Sequence, residues 1–191
     1  MLCPTLRAVT SGLCDLEVPL DELSNLPLSP ERVLIVENLE SGLALPDLPG
    51  CVAVLGLGNA VSVLSRLNWV SGKPIMYWGD IDTHGFMILD RARETLGALS
   101  SVLMDEATLL ACRDLWVEEP VQASAQTLVH LTATERETFE GLRAQRWVTT
   151  FASSRSESRG LSCSRRCRPR CVDKPSACMY TCMHGYEDDL H

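Results

Sequence analysis

The 191-residue sequence has no uninterrupted apolar run of the roughly 18 to 20 residues that a bilayer-spanning helix needs. Its beginning, MLCPTLRAVTSGLCDLEVPL, lacks the basic-then-apolar order of a secretory signal. No membrane association is expected, and a cytoplasmic location is. Positive charge is scarce as well: 17 Lys and Arg face 25 Asp and Glu, for a net charge of −8. That balance argues against an autonomous nucleic-acid binder, although a metal ion or a basic partner can supply the missing charge. The nine cysteines include no C-x2-C pair, so the usual zinc spacing is lacking. A disulfide framework is disfavoured in a reducing compartment.

The chain is long enough for one domain with a real core, since 46% of its residues are hydrophobic. Its composition is not uniform. Residues 1–146 carry 10 basic and 20 acidic residues, a net −10, whereas residues 147–191 carry 7 and 5, a net +2. Five of the nine cysteines, Cys163, Cys167, Cys171, Cys178 and Cys182, lie in this tail, with His184 two residues beyond the last. The tail lacks an apolar period, so disorder and free thiols are expected there ahead of a zinc site.

Ahead of the tail, apolar and amphipathic stretches alternate. RVLIVEN (32–38), CVAVLGLGN (51–59), PIMYWGD (74–80) and SSVLMD (100–105) are short runs suited to strands buried on both faces of a parallel sheet. Helical patterns follow the later three: AVSVLSRLNWV (60–70), THGFMILDRARETLGAL (83–99) and DEATLLACRDLW (105–116). Thr83 and Asp105 are the expected caps of the second and third of these helices. A further amphipathic helix, TATERETFEGLRAQ (132–145), is expected to start at Thr132 or Thr134. The order predicts an α/β domain, a mainly parallel sheet flanked by helices, whose ligands gather beyond the carboxyl ends of the strands.

At those ends stand Glu37 after the first strand, Gly56 and Gly58 after the second, and Asp80 and Asp82 after the third. Residues i and i+2 of an extended segment point the same way, so Asp80 and Asp82 can aim at one point, with Glu37 reaching it from a neighbouring strand. Three carboxylates in one small volume repel unless a cation joins them. Oxygen ligands alone select a hard ion, Mg²⁺ or Mn²⁺. Blander roles compete: Asp82-Thr83 as a helix cap, Glu37 as a solvated strand end, and His84 in a first helical turn with no second zinc ligand nearby. A second functional alternative is a nucleotide or dinucleotide module. VAVLGLGNAVSVL resembles a strand, a Gly-rich turn and a helix, and Asp80 follows Gly58 by roughly the 20 residues expected of a ribose-binding acid. Val61, however, occupies the position of the third glycine.

A Glu at one strand end and Asp-x-Asp at a later one resembles the Toprim domain of topoisomerases, primases and certain nucleases. The longer blocks VLIVENLESGLALPDLPG, GLGNAVSVLSRLNWV, YWGDIDTHGFMILDRAR and SVLMDEATLLACRDLWVEEP, in this order, resemble the C-terminal domain of the nuclease subunit of Wadjet anti-plasmid systems, the JetD-like family. GDIDTHG is also similar to the metal-binding turn of the topoisomerase VI A subunit. The resemblance spans about residues 15–146 and leaves 1–14 outside. It implies a Rossmann-like Toprim fold and Mg²⁺- or Mn²⁺-dependent DNA cleavage, with Glu37, Asp80 and Asp82 as catalytic metal ligands. The implied partners are DNA, an SMC-type motor complex and a second copy of the chain.

The family continues near residue 147 with a segment resembling LRLEQERI, and its members carry a longer N-terminal region with DNA-binding character. Here the sequence reads RWVTTFASSRSESRGLSCSRRCRPRCV instead. Codons compatible with WVTTFASSRSESRGL, read from the third base of the tryptophan codon, encode GDNLRLEQERISWA. A frameshift near Trp147 is therefore expected, with residues 147–191 out of frame and the chain an inactive fragment.

Overall fold

The computed structural model describes residue 2 and residues 6–124, 127–147 and 160–162. Short helix α1 (Leu20–Asn25) leads into β1 (Arg32–Val36). Then follow α2 (Leu39–Leu43), β2 (Cys51–Leu55), β3 (Ile75–Trp78), α3 (Thr83–Leu96) and β4 (Ser100–Ser101). The sheet is entirely parallel, in the order β2-β1-β3-β4. Beyond it lie α4 (Glu106–Ala111), β5 (Val117–Glu119), α5 (Ala133–Arg143) and β6 (Gly160–Ser162), the last pairing antiparallel with β5.

The apolar runs become strands because both sheet faces are covered. Along β1 the side chains alternate. Val33 and Ile35 pack with Tyr77, Phe86 and Leu89 on one face, while Leu34 and Val36 meet Leu48, Ala53 and Val102 on the other. The first face carries the larger core. There α3 packs against α5, with Phe86 and Phe139 meeting edge to face at 6.2 Å between ring centres.

The expected helix over 60–70 is instead two 3₁₀ segments, Gly58–Arg66 and Asn68–Val70. The Ser65 hydroxyl donates to the Ser62 carbonyl at 2.8 Å, a local bond that competes with the α-helical pattern. The fourth expected strand also shrinks. Only Ser100 and Ser101 pair with β3, and Leu103 turns to a φ of +57°, which ends the extended run. The third expected helix is shortened to α4, with a 3₁₀ turn at Arg113–Leu115 after it. Trp147 is buried, lying against Gly141, and its indole N–H reaches Glu106 at 3.3 Å. Gly160–Ser162, in the tail where disorder is expected, satisfies the open edge of β5. The tail cysteines and His184 lie outside the described residues.

One buried ion pair ties α3 to α5. Arg93 donates to both oxygens of Glu135, at 2.5 and 2.8 Å, and Glu135 also accepts from the Ser101 hydroxyl and the Thr132 amide. The last bond closes a capping box, since the Thr132 hydroxyl accepts from the Glu135 amide. Burial pushes the Glu135 carboxyl up, but these donors outweigh it and hold the group at about 2. A carboxyl depressed on folding stabilises above its ordinary value of 4.5 and loses that contribution as pH falls toward 2. Urea unfolding of the wild type and Glu135→Gln at pH 6 and pH 2 tests this. The stability advantage of the wild type is expected to shrink by on the order of 3 kcal/mol between the two. A constant difference would remove Glu135 from the acid response.

Candidate metal centre

The chain passes from β1 outward to β2, then crosses back to place β3 on the other side of β1. The strand order thus reverses between β1 and β3, and the crevice beyond their carboxyl ends is where a parallel sheet opens to a ligand. Val36 and Trp78 are the last register pair there, and the Glu37 amide donates to the Trp78 carbonyl at 3.0 Å. Glu37 is therefore delivered beside Gly79 and Asp80 by the sheet register itself.

The Glu37 side chain folds across the crevice. Its Oε2 accepts from the Tyr77 hydroxyl at 3.1 Å and from the Asp80 amide at 3.3 Å. Burial pushes the Glu37 carboxyl above its ordinary value, and the nearby charge of Asp82 pushes the same way. The two hydrogen bonds oppose the shift without cancelling it. Tyr77 is fully buried within β3. Burial and the charge of Glu37 push its hydroxyl well above the ordinary range, with Asp80 and Asp82 adding to the effect, so it stays a neutral donor.

Asp82 caps α3, its Oδ1 accepting from the Gly85 amide at 2.7 Å. Of the expected caps, Thr83 alone or Asp82-Thr83 as a pair, Asp82 takes the role, and the Thr83 side chain turns inward. Both its hydroxyl (2.5 Å) and its amide (3.2 Å) donate to Oε1 of Glu119, at the end of β5. His84 Nδ1 meets the same oxygen at 3.1 Å, and the Thr83 hydroxyl accepts from the Ala123 amide at 2.7 Å. Burial pushes the Glu119 carboxyl up, aided by the charge of Asp82, while bonds from Thr83 and His84 oppose the shift. Among the described residues, Asp82, His84 and Glu119 bring ligand atoms within 4.8 Å of one another.

The three predicted ligands are thus grouped unevenly. Glu37 and Asp80 touch through a carboxylate and a backbone amide, and Asp82 lies close enough for its charge to act on Glu37. The tighter side-chain group pairs Asp82 with His84, for which no ligand role was expected, and with Glu119, which the sequence did not single out. Glu119 lies 37 residues beyond Asp82, on a strand of only three residues. Its one sequence signal is the acidic end of WVEEP. Asp105 caps α4, as expected, by accepting from the Thr108 amide. Gly56 and Gly58 follow the outer strand β2 and lead into a 3₁₀ segment. No α-helix N-terminus stands there to face a pyrophosphate.

The donor set fits a divalent cation. The half-buried Glu37 carboxyl and the buried Glu119 carboxyl are each raised by burial and by like charge, and an oxygen-rich group is what a hard ion replaces protons on.

Two glycines make the geometry. A Cβ on Gly79 would sit 2.8 Å from Glu37 Oε2 and 2.7 Å from the Tyr77 ring. A Cβ on Gly85 would collide with the Asp80 carbonyl oxygen. Gly85→Ala is therefore expected to destabilise the fold by about 1–3 kcal/mol through overpacking, although alanine is the better helix former. Urea unfolding measures this, and a stabilised variant would show that the α3 start is not clamped against Asp80.

No curated protein matches the chain. Residues 1–151 match the family described as Wadjet protein JetD, C-terminal. The matched span takes in the whole parallel sheet, both acidic groups at its carboxyl edge and β5, and it stops close to the change in composition. With most of its length matched, the chain belongs to the JetD C-terminal family of Wadjet proteins.

Proposed function

We propose that the crevice between β1 and β3 holds Mg²⁺ or Mn²⁺ on Glu37, Asp80 and Asp82. In this reading the domain hydrolyses DNA phosphodiesters as part of a Wadjet anti-plasmid defence system. The observation that carries the proposal is the Glu37 carboxylate lying 3.3 Å from the Asp80 amide, across the point where the strand order reverses. A Glu at one strand end and Asp-x-Asp at its neighbour is also the arrangement of Toprim domains. A divalent cation supplies Lewis acidity toward a phosphate oxygen and toward water. Glu37 is oriented for such an ion by the Tyr77 hydroxyl and the Asp80 amide. Asp82 is fixed by the Gly85 amide through Oδ1, and a carboxylate has a second oxygen to offer an ion. Tyr77 is a buried, protonated donor, which favours hydrolysis over attack by a tyrosine.

The net −10 of residues 1–146 repels DNA. Docking then falls to other parts of the system, an SMC-type motor among them. The tail from residue 147 supplies Ser, Arg and Cys in place of LRLEQERI, without its closely spaced glutamates, so this chain alone is a poor nuclease.

Two measurements test these statements. Calorimetric titration of the full chain with Mg²⁺ is expected to weaken about tenfold or more, roughly 1.4 kcal/mol, in Glu37→Gln and in Asp80→Asn. Unchanged affinity in both would contradict the site. In plasmid cleavage with Mg²⁺ or Mn²⁺, the chain is expected to cut little, and a version with its frame restored after Arg146 and a family N-terminal region supplied is expected to cut robustly. Robust cutting by the unrepaired chain, abolished by Asp80→Ala, would contradict the frameshift reading.

A further inference from the structure

We infer that Asp82, His84 and Glu119 form a second divalent-cation position, of mixed imidazole and carboxylate ligation. It shares Asp82 with the proposed all-oxygen position but stands on different observations. It holds whether or not Glu37 and Asp80 bind an ion.

The first observation is proximity. One ligand atom from each of the three side chains lies within 4.8 Å of the others, brought together from the loop after β3, the first turn of α3 and the end of β5. Asp82 and His84 are neighbours at the start of α3, but Glu119 lies 37 residues beyond Asp82, so local geometry alone does not account for its joining them.

The second observation is an orphaned atom. Glu119 is only 4% exposed, and its Oε2 is buried without a hydrogen-bond partner. A buried carboxylate oxygen left bare forfeits the water contacts it had in the unfolded chain and gains nothing in their place. Its sister oxygen, Oε1, is meanwhile crowded by the Thr83 amide, the Thr83 hydroxyl and His84 Nδ1. One oxygen held by protein donors and the other left bare is the pattern of a carboxylate whose outer contacts orient it for a cation.

The charges agree with this. Asp82 and Glu119 bring two carboxylates to short range beside the His84 ring. A divalent ion neutralises both carboxylates and gives Oε2 a partner. An imidazole among carboxylates suits Mn²⁺, Co²⁺ or Zn²⁺ better than Ca²⁺ or Mg²⁺. Thr83 acts through Glu119 and is a positioning residue. Its hydroxyl bridges Glu119 and the Ala123 amide, which ties the segment after β5 to the start of α3.

The test counts Mn²⁺ bound by the full chain, from the EPR signal of the free ion, and uses Mn²⁺ because the chain's thiols bind it weakly. Wild type is compared with His84→Ala, Glu119→Gln and Glu37→Gln. His84 is 43% exposed at its side chain, so its replacement leaves the core intact and serves as the variant least able to unfold the protein. The expected result is an ion whose binding weakens at least tenfold in both His84→Ala and Glu119→Gln and persists in Glu37→Gln. Loss in Glu37→Gln of a different ion would add support to the all-oxygen position. Retention of that different ion would count against the all-oxygen position only. Wild-type binding that His84→Ala and Glu119→Gln leave within twofold, or no Mn²⁺ binding at all, would overturn the inference.

Discussion

Negative charge concentrated at one sheet edge is the constraint on which this structure depends. Glu37, Asp80 and Asp82 all follow strands that end at the same crevice, and the Glu37 carboxyl is half-buried near the charge of Asp82. In water such groups would separate. Here the register Val36–Trp78 fixes Glu37 next to Gly79, and the missing side chain of Gly79 makes room for the carboxylate. The hydrogen bonds from Tyr77 and Asp80 then hold it. The parallel sheet, with its buried apolar β1 between β2 and β3, sets where these groups stand.

The start of α3 carries a second layer of the same design. Asp82 caps the helix, Gly85 lets it pack against the Asp80 backbone, and Thr83 reaches inward to Glu119. The residues of one short stretch, from Gly79 to Gly85, thus serve three neighbours: β1 through Glu37, α3 through its cap, and β5 through Glu119. These bonds leave from neighbouring residues of one short segment, so a shift of its backbone would be felt at all three.

Much of this was legible in the sequence. The runs RVLIV and IMYW sit on a sheet covered on both faces, so their continuous apolar character matched their environment. The places of Glu37 and Asp80 at strand ends were legible because Glu37 follows the first run directly and Asp80 follows the other after one glycine. What escaped depended on long-range packing. Glu119 gave only the acidic end of WVEEP as a signal, since its contacts come from the three-residue β5 meeting the start of α3. Thr83 looked like a cap because Ser and Thr favour that position, but Asp82 one residue earlier took it and freed the Thr83 hydroxyl for Glu119. The segment after β2 had a helical apolar period, yet serine back-bonding and tight packing gave 3₁₀ turns, which apolar spacing alone does not separate from α-helix. SSVLMD looked like a strand until Leu103 turned to positive φ.

Anomalous diffraction from a Mn²⁺-soaked crystal of the chain, recorded near the manganese edge, tests the central claim most directly. The predicted result is an anomalous peak at the carboxyl edge between β1 and β3, coordinated by oxygens of Glu37, Asp80 and Asp82. Saturating Mn²⁺ that leaves this crevice without a peak, with the Glu37 carboxylate still on the Tyr77 hydroxyl and the Asp80 amide, would contradict it.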